Sequence, residues 1–332
     1  MLLEKLSNSI SPTGFEGEVR IFLKDIISDY VDELKVDRMG NIIAHKKGSG
    51  PKILIDAHMD EIGFIITGFN EDGTLKFSTL GGVNAKVIPS KVVYIGEDMI
   101  PGVIGIKPIH LQPRDERSKG LKISDFSIDI GANSKDEAKK YIQLGEFAIF
   151  DTLYGKLGDG FIKGKSFDDR IGCAVLVEIL KDNYNCDLYA SFSVQEEVGD
   201  RGAKVSAYQV NPDIGIAIEG TICADLPNVE KSLMATELCK GPAISIMDRT
   251  SIFNEDIAND LIKVAVDNNI PYQRRKAVSG GNDAGAIQSS NNGAKVATLS
   301  VPCRYIHSSI SVASVDDYQN TIKLLNAYLK TF

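Results

Sequence analysis

Apolar positions along the first thirty residues follow a helical period. Ile21, Phe22, Ile26, Ile27 and Tyr30 recur at the spacing of one helix face, after a break at Ser11-Pro12-Thr13-Gly14. Two strand-like runs follow, at residues 41–45 and 53–57, and the second ends in His58-Met59-Asp60. The carboxyl end of a strand is where ligands gather in open α/β sheets. From about residue 64 to residue 162 the texture changes. Short β-rich runs, such as 91–95 and 102–106, are separated by Gly, Pro and Asp, and helical periodicity nearly vanishes. Beyond this block helices and strands alternate again. Helices are expected at 168–180, 255–268 and 316–329, and strands at 187–194, 214–219 and 295–301. The pattern predicts an α/β domain made of residues 1–64 and 163–332, with a small β domain inserted at 65–162.

Composition narrows this picture. The chain has 332 residues, 43% of them apolar and 25% charged, as in a globular protein. Its net charge of -8 argues against a nucleic-acid partner, because phosphate binding needs a clustered basic surface. No apolar run approaches the ~20 residues of a membrane span, and residues 1–11 lack the apolar core of a signal peptide. The five cysteines (Cys173, Cys186, Cys223, Cys239 and Cys303) are scattered without a C-x-x-C pair. They are expected to be buried free thiols in a reducing cytoplasm, not a disulfide frame or a thiolate zinc site.

The candidate chemistry lies in a few histidines and carboxylates. Only four histidines occur, at positions 45, 58, 110 and 307. His58 directly follows an apolar strand, and Asp60 is placed to accept its second ring N–H, which would set the tautomer that binds a metal. His307 also follows an apolar strand. Asp168-Asp169 opens a helix, where Asp168 has an alternative reading as a helix cap. Glu196-Glu197 ends a strongly apolar strand, and neighbouring side chains there point different ways, so one can bind metal while the other faces substrate. Glu219 ends another apolar strand. Oxygen and nitrogen donors without thiolates suit zinc, cobalt or manganese. A two-metal site needs one shared carboxylate and further ligands on each ion. A shared Asp, one His and one terminal carboxylate per metal, and a spare Glu as general base fill that requirement.

The motifs together resemble the family forty-two metallopeptidases, the TET or glutamyl aminopeptidase-like enzymes, some of which are labelled endoglucanases. The resemblance spans essentially the whole chain. It is carried by Ser11-Pro12-Thr13-Gly14-Phe15-Glu16, His58-Met59-Asp60-Glu61-Ile62-Gly63 and Gly105-Ile106-Lys107-Pro108-Ile109-His110. It continues through Ile128-Asp129-Ile130-Gly131-Ala132, Phe167-Asp168-Asp169-Arg170-Ile171-Gly172 and Glu196-Glu197-Val198-Gly199-Asp200-Arg201-Gly202-Ala203. The last two are Gly280-Gly281-Asn282-Asp283-Ala284-Gly285 and Arg304-Tyr305-Ile306-His307-Ser308. The resemblance implies two divalent ions per subunit, zinc or cobalt foremost and manganese also compatible. Asp168 would bridge them, His58 and Glu219 completing one site and Glu197 and His307 the other. Glu196 would be the general base, Asp60 the partner of His58, and the Asp168–Asp169 peptide bond cis. The implied fold is a mixed-sheet α/β di-metal exopeptidase domain of the phosphorylase/hydrolase-like kind, interrupted by a β-barrel-like insert. Hollow tetrahedral dodecamers, with the insert in subunit contacts and substrate access, are the implied assembly.

Two positions depart from the pattern. Residue 219 is Glu where these aminopeptidases usually carry Asp, and residue 282 is Asn where Thr is usual. The expected activity is removal of N-terminal residues from short peptides, by a metal-bridging water that Glu196 activates. Glu219 keeps a carboxypeptidase or aminoacylase alternative open. Glycoside hydrolysis is more distant, since it needs no histidine pair and the chain has no tryptophan as a sugar platform. His110 is expected to be structural or at a subunit contact, and His45 a plain surface residue. The run Ser279-Gly280-Gly281-Asn282 lacks the ending of a phosphate loop and is expected to form a tight turn beside the substrate.

Overall fold

The structure, a computed structural model, describes residues 1–111, 120–276 and 278–332. It divides into two compact units. The first is Met1–Asp60, Leu153–Ile306 and Ile310–Phe332; the second is Glu61–Thr152 and His307–Ser309.

The first unit is built on an eleven-stranded mixed sheet. Its strands are β1 (Glu33–Val36), β2 (Ile42–Lys46), β3 (Lys52–His58), β10 (Gly155–Lys156), β11 (Phe161–Gly164), β12 (Asp187–Ser193), β13 (Ile214–Ile222), β14 (Ala243–Ile244), β15 (Gln273–Arg274), β16 (Lys295–Arg304) and β17 (Ser311–Ser314). The main path runs β1-β2-β12-β3-β13-β16-β17-β11-β10. Its four central strands, β12, β3, β13 and β16, are parallel, and the flanks are antiparallel. Parallel strands are covered on both faces, so they read as continuous apolar runs. β3 shows this, with every residue from Ile53 to His58 buried.

Helices α1 (Leu2–Asn8), α2 (Gly17–Ile27), α3 (Phe167–Leu180), α4 (Arg201–Val210), α5 (Glu255–Asp267), α6 (Asp283–Gln288) and α7 (Val315–Leu329) supply the outer layers. Strand alternation separates two cores. Ile53, Ile55 and Ala57 of β3 pack with Ile216 and Ile218 of β13 and with residues of α1, α2, α3, α5 and α7. Leu54 and Ala217 join Ala207 of α4 and Ala284 and Ile287 of α6 in a second cluster. Helix α5 buries Ile257, Leu261, Val264 and Ala265 along one stripe, as a surface helix does. In α3 residues 169–177 are all buried, the sign of a helix enclosed on all sides.

The second unit contains β4 (Gly63–Phe69), β5 (Leu75–Leu80), β6 (Val92–Ile95), β7 (Ile100–Ile106), β8 (Phe126–Asp129) and β9 (Phe147–Phe150). They close into an antiparallel barrel in the order β4-β5-β8-β7-β6-β9, with Phe64 of β4 opposite Ala148 of β9. Closure removes the free edges that so short a sheet would otherwise expose. Phe64, Ile66, Phe77, Val93, Ile104, Ile128 and Phe150 fill its interior. The expected helices and strands are present, with β13 and β16 each running three residues further than their apolar runs predict.

Asn41, wholly buried, joins three parts of the first unit. It donates to the carbonyl of Gly202 at 3.1 Å and to Asp37 at 2.8 Å, and it accepts the N–H of Val194 at 3.0 Å. Gly202 fits only because it lacks a side chain: a Cβ there would stand 2.4 Å from Asn41 Oδ1 and from the backbone N and O of Val194. Gly202→Ala is therefore expected to destabilise the protein by about 1–3 kcal/mol or more through overpacking against backbone that cannot yield. A lowered urea midpoint with an unchanged slope would show it.

Candidate active site

The carboxyl ends of β12, β3 and β13 lie side by side. Ser193 pairs with His58, and the register Ala217–Asp56 sets Glu219 level with His58. After β12 the chain turns through Gln195, in the left-handed region at φ 57°, and presents Glu196 and Glu197. Opposite them α3 begins irregularly. Ser166 is left-handed, the Asp168–Asp169 peptide is cis, and neither aspartate has helical torsions. The capping bond comes from Asp169, whose Oδ1 accepts the N–H of Gly172 at 3.1 Å. Asp168 is left facing His58.

The distances converge on His58 Nε2. It lies 3.4 Å from Asp168 Oδ1, 3.8 Å from Glu196 Oε2 and 3.9 Å from Glu219 Oε2. On the far side of the ring, Nδ1 is 3.2 Å from the backbone carbonyl of Asp60 and 3.4 Å from its carboxylate. A proton on Nδ1 directed at this carbonyl leaves the Nε2 lone pair for an ion. The Asp60 carboxylate mainly serves others, accepting Thr13 Oγ1 at 2.8 Å and the backbone N–H groups of Glu196 at 3.0 Å and Glu197 at 3.2 Å.

His58, Asp168 and Glu219 each offer a donor atom, all within 4.8 Å of one another. Glu219 Oε1 is buried without a hydrogen-bond partner among the described residues, as a ligand atom awaiting a cation would be. Carboxylate oxygens of Asp168 and Glu197 also lie within 4.8 Å of each other. His307 stands in the left-handed region at φ 57°, in the turn between β16 and β17, and groups with the second unit.

Electrostatics point the same way. Burial pushes the Glu219 carboxyl well above the usual range, and the nearby charge of Asp169 adds to this. Burial does the same to Glu196, where the charges of Glu197 and Asp168 outlast the opposing pull of His58. Asp169 is raised well above its usual value by burial too. For His58 burial opposes the charged form. The Glu196 charge and the bonds to Asp168 and Asp60 outweigh it and raise the ring well above its ordinary value. Asp60 is lowered because, against its burial, it bonds His58 and the backbone N–H of Glu196. So many carboxyls cannot ionise together unless cations stand among them. The oxygen-rich donor set around the His58 imidazole fits a divalent ion such as zinc, cobalt or manganese.

A family profile for the M42 glutamyl aminopeptidases matches residues 40–324. The lysyl aminopeptidase of Pyrococcus furiosus is 36% identical over 99% of this chain and 96% of its own. A TET aminopeptidase from a marine-sediment Thaumarchaeota archaeon superposes with a TM-score of 0.96 at 35% identity, over 99% of this chain and 95% of its own. The TET1 peptidase of Pyrococcus horikoshii, which can assemble into a tetrahedron or a large octahedral shell, matches with a TM-score of 0.86 at 32% identity, over 98% and 97%. The chain belongs to the M42 glutamyl aminopeptidase family. It is a metallo-aminopeptidase, and no helix among its described residues is long and apolar enough to cross a membrane.

Other expectations meet the M42 structure unevenly. His110 is exposed on a short 3-10 turn. His45 is no plain surface residue: it lies in β2, stacks on Tyr189 at 4.0 Å and bonds Asp187 at 2.7 Å. Cys239 is exposed, while the other four cysteines are buried free thiols. Asn282 caps α6 by accepting the N–H of Ala284 at 2.9 Å and donates to Asp248 at 3.2 Å. Reading by motif missed the polar layer beneath the site. Ser193 Oγ lies 2.8 Å from both Asp56 and Asp283, which are fully buried. One hydroxyl proton cannot serve both carboxylates at once, and burial raises both carboxyls above their usual range. For Asp56 the available signal was a lone Asp inside an apolar strand; Asp283, after Gly280-Gly281-Asn282, had no such signal.

The raised groups predict how the metal-free enzyme responds to pH. A group whose folded pKa exceeds its unfolded value contributes stability that is lost as pH rises, and Glu196, Glu219, Asp169 and His58 are all of this kind. Asp60 is opposite in sign, and its contribution is lost only as pH falls through the carboxylate range. The chelator-stripped enzyme is expected to melt at a lower temperature at about pH 8.5 than at about pH 5.5, and added cobalt to restore more at the higher pH, where bound protons need not be displaced. A stripped enzyme more stable at the alkaline end would contradict the crowded-carboxyl account.

Proposed function

We propose that this enzyme removes N-terminal residues from short peptides with two divalent ions. His58, Asp168 and Glu219 hold one, and Asp168, Glu197 and His307 hold the other. The grouping of His58, Asp168 and Glu219 around the unpartnered Glu219 Oε1 carries the proposal. His307 is assigned as the last ligand because its turn follows β16, the parallel neighbour of the strand that carries Glu219. When bound, such ions polarise a scissile carbonyl and make water acidic enough to deprotonate near neutral pH.

Glu196 acts as the general base. Its carboxylate takes a proton from the attacking water and later gives it to the departing amine, as a new C–O bond replaces the C–N bond. Its raised pKa suits a group that must hold that proton between the two steps. Asp60 fixes the backbone N–H groups of Glu196 and Glu197 through one carboxylate, so base and ligand keep their separate directions. Glu219 reaches His58 with its longer arm and so replaces the shorter Asp without loss of a donor.

We further propose that the chain self-assembles, as a tetrahedral dodecamer, with the inserted β domain making subunit contacts and controlling substrate access. Support comes from the assembly of the Pyrococcus horikoshii peptidase. Buried free thiols accord with work in a reducing cytoplasm.

Hydrolysis of free and amino-blocked dipeptides and aminoacyl amides, after chelation and with cobalt or zinc restored, tests the reading. Activity confined to free-amine substrates and dependent on metal is expected. Activity confined to amino-blocked substrates would move the reading to carboxypeptidase or aminoacylase chemistry through Glu219. Glu196→Gln is expected to keep metal binding and lose about 10²–10⁴-fold in turnover, and a fully active variant would remove Glu196 from the role.

A further inference from the structure

Arg170 is the largest wholly buried side chain of the described chain. Its Nε donates to the carbonyl of Met59 at 2.6 Å, Nη1 to that of Leu6 at 2.8 Å, and Nη2 to that of Ser11 at 3.1 Å. These carbonyls come from the segment after β3, from α1 and from the loop before α2. A buried guanidinium is tolerated only when its donors find acceptors, and its flat fork can serve three at fixed angles where an ammonium cannot.

Met59 lies between His58 and Asp60, and its peptide groups are held from two sides. Its N–H donates to Ser193 at the end of β12 at 2.7 Å, and its carbonyl is held by Arg170. Farther along α3, Cys173 Sγ lies 3.2 Å from the carbonyl of His58. Residues three apart share a helix face. The helix that opens with Asp168 therefore grips two successive carbonyls of the segment that carries His58. Rotation of that segment would swing the ring away from Asp168 and pull Asp60 from the amides of Glu196 and Glu197.

We infer that Arg170 is a positioning residue of the metal site, acting with Cys173 to set His58 against Asp168 by holding the backbone between His58 and Asp60. The inference rests on the two-metal reading above. Its test uses the full chain, stripped by chelator and titrated with cobalt, as wild type, Arg170→Lys and Cys173→Ala. Cobalt affinity by chelator competition, the visible spectrum of bound cobalt, and kcat and KM on a free-amine dipeptide are compared.

Arg170→Lys is expected to bind cobalt roughly tenfold or more weakly, as outer hydrogen-bond partners of metal ligands generally do when removed. Its spectrum should shift, and kcat should fall while KM changes little. Cys173→Ala should move the same quantities in the same direction by less. An Arg170→Lys protein with wild-type affinity and spectrum overturns the inference. Should that variant fail to fold, a Cys173→Ala spectrum and affinity identical to wild type overturn it instead. A wild type that takes up no cobalt would sink the two-metal reading itself, a result distinguishable from the other two.

Discussion

Crowding of like charge beside buried imidazole is the constraint on which the rest of this structure depends. Asp168, Asp169, Glu196, Glu197 and Glu219 stand around or near His58, Asp169 and Glu219 buried and the other three half-buried. Left alone, such groups hold protons that solvent would remove, as the upward shifts of Glu196, Glu219 and Asp169 show. A fold that only needed stability would have filled these positions with apolar residues, since buried ionisable groups are weak stabilisers. The arrangement makes sense as a site whose charge is completed by divalent ions.

The parallel centre of the sheet makes the crowding achievable. Strands β12 and β3 end together, and β13 carries Glu219 at the same level, because their apolar runs are in register. His58 and Glu219 come where the apolar runs of β3 and β13 give out, with the buried Asp56 the polar exception within β3. The irregular start of α3 then brings Asp168 in from a different element, with Asp169 taking the cap. Beneath, the polar layer of Asp56, Ser193 and Asp283 continues the hydrogen bonding inward, where an apolar floor would leave Ser193 without a partner.

Asp60 shows how one buried carboxylate can coordinate several elements. It takes a side-chain bond from Thr13 before α2 and backbone bonds from the turn after β12, while its own carbonyl faces the ring of His58. The Ser11-Pro12-Thr13-Gly14 break thus has a part in the site as well as in chain reversal. Glu219 brings a carboxylate to the site and leaves one buried oxygen without a hydrogen-bond partner among the described residues.

The linear chain by itself determined the alternation of helices and strands, the β-rich insert, and which carboxylates and histidines sit at strand ends. Hydrophobic periodicity is local and survives without knowledge of partners. The family motifs added the cis Asp168–Asp169 bond and the choice of site residues. Tertiary structure alone decided strand order, the closure of the barrel, and which polar residues meet. His45 as plain surface was reasonable by local rule and overruled by Asp187 and Tyr189, distant in sequence, while Cys239, expected buried, is exposed. Arg170, Asp56 and Asp283 had no sequence period to reveal them, because their roles lie in hydrogen bonds to backbone and side chains brought near only by packing. Local pattern sets which face is apolar; long-range contact sets which polar atoms must find one another once water is excluded.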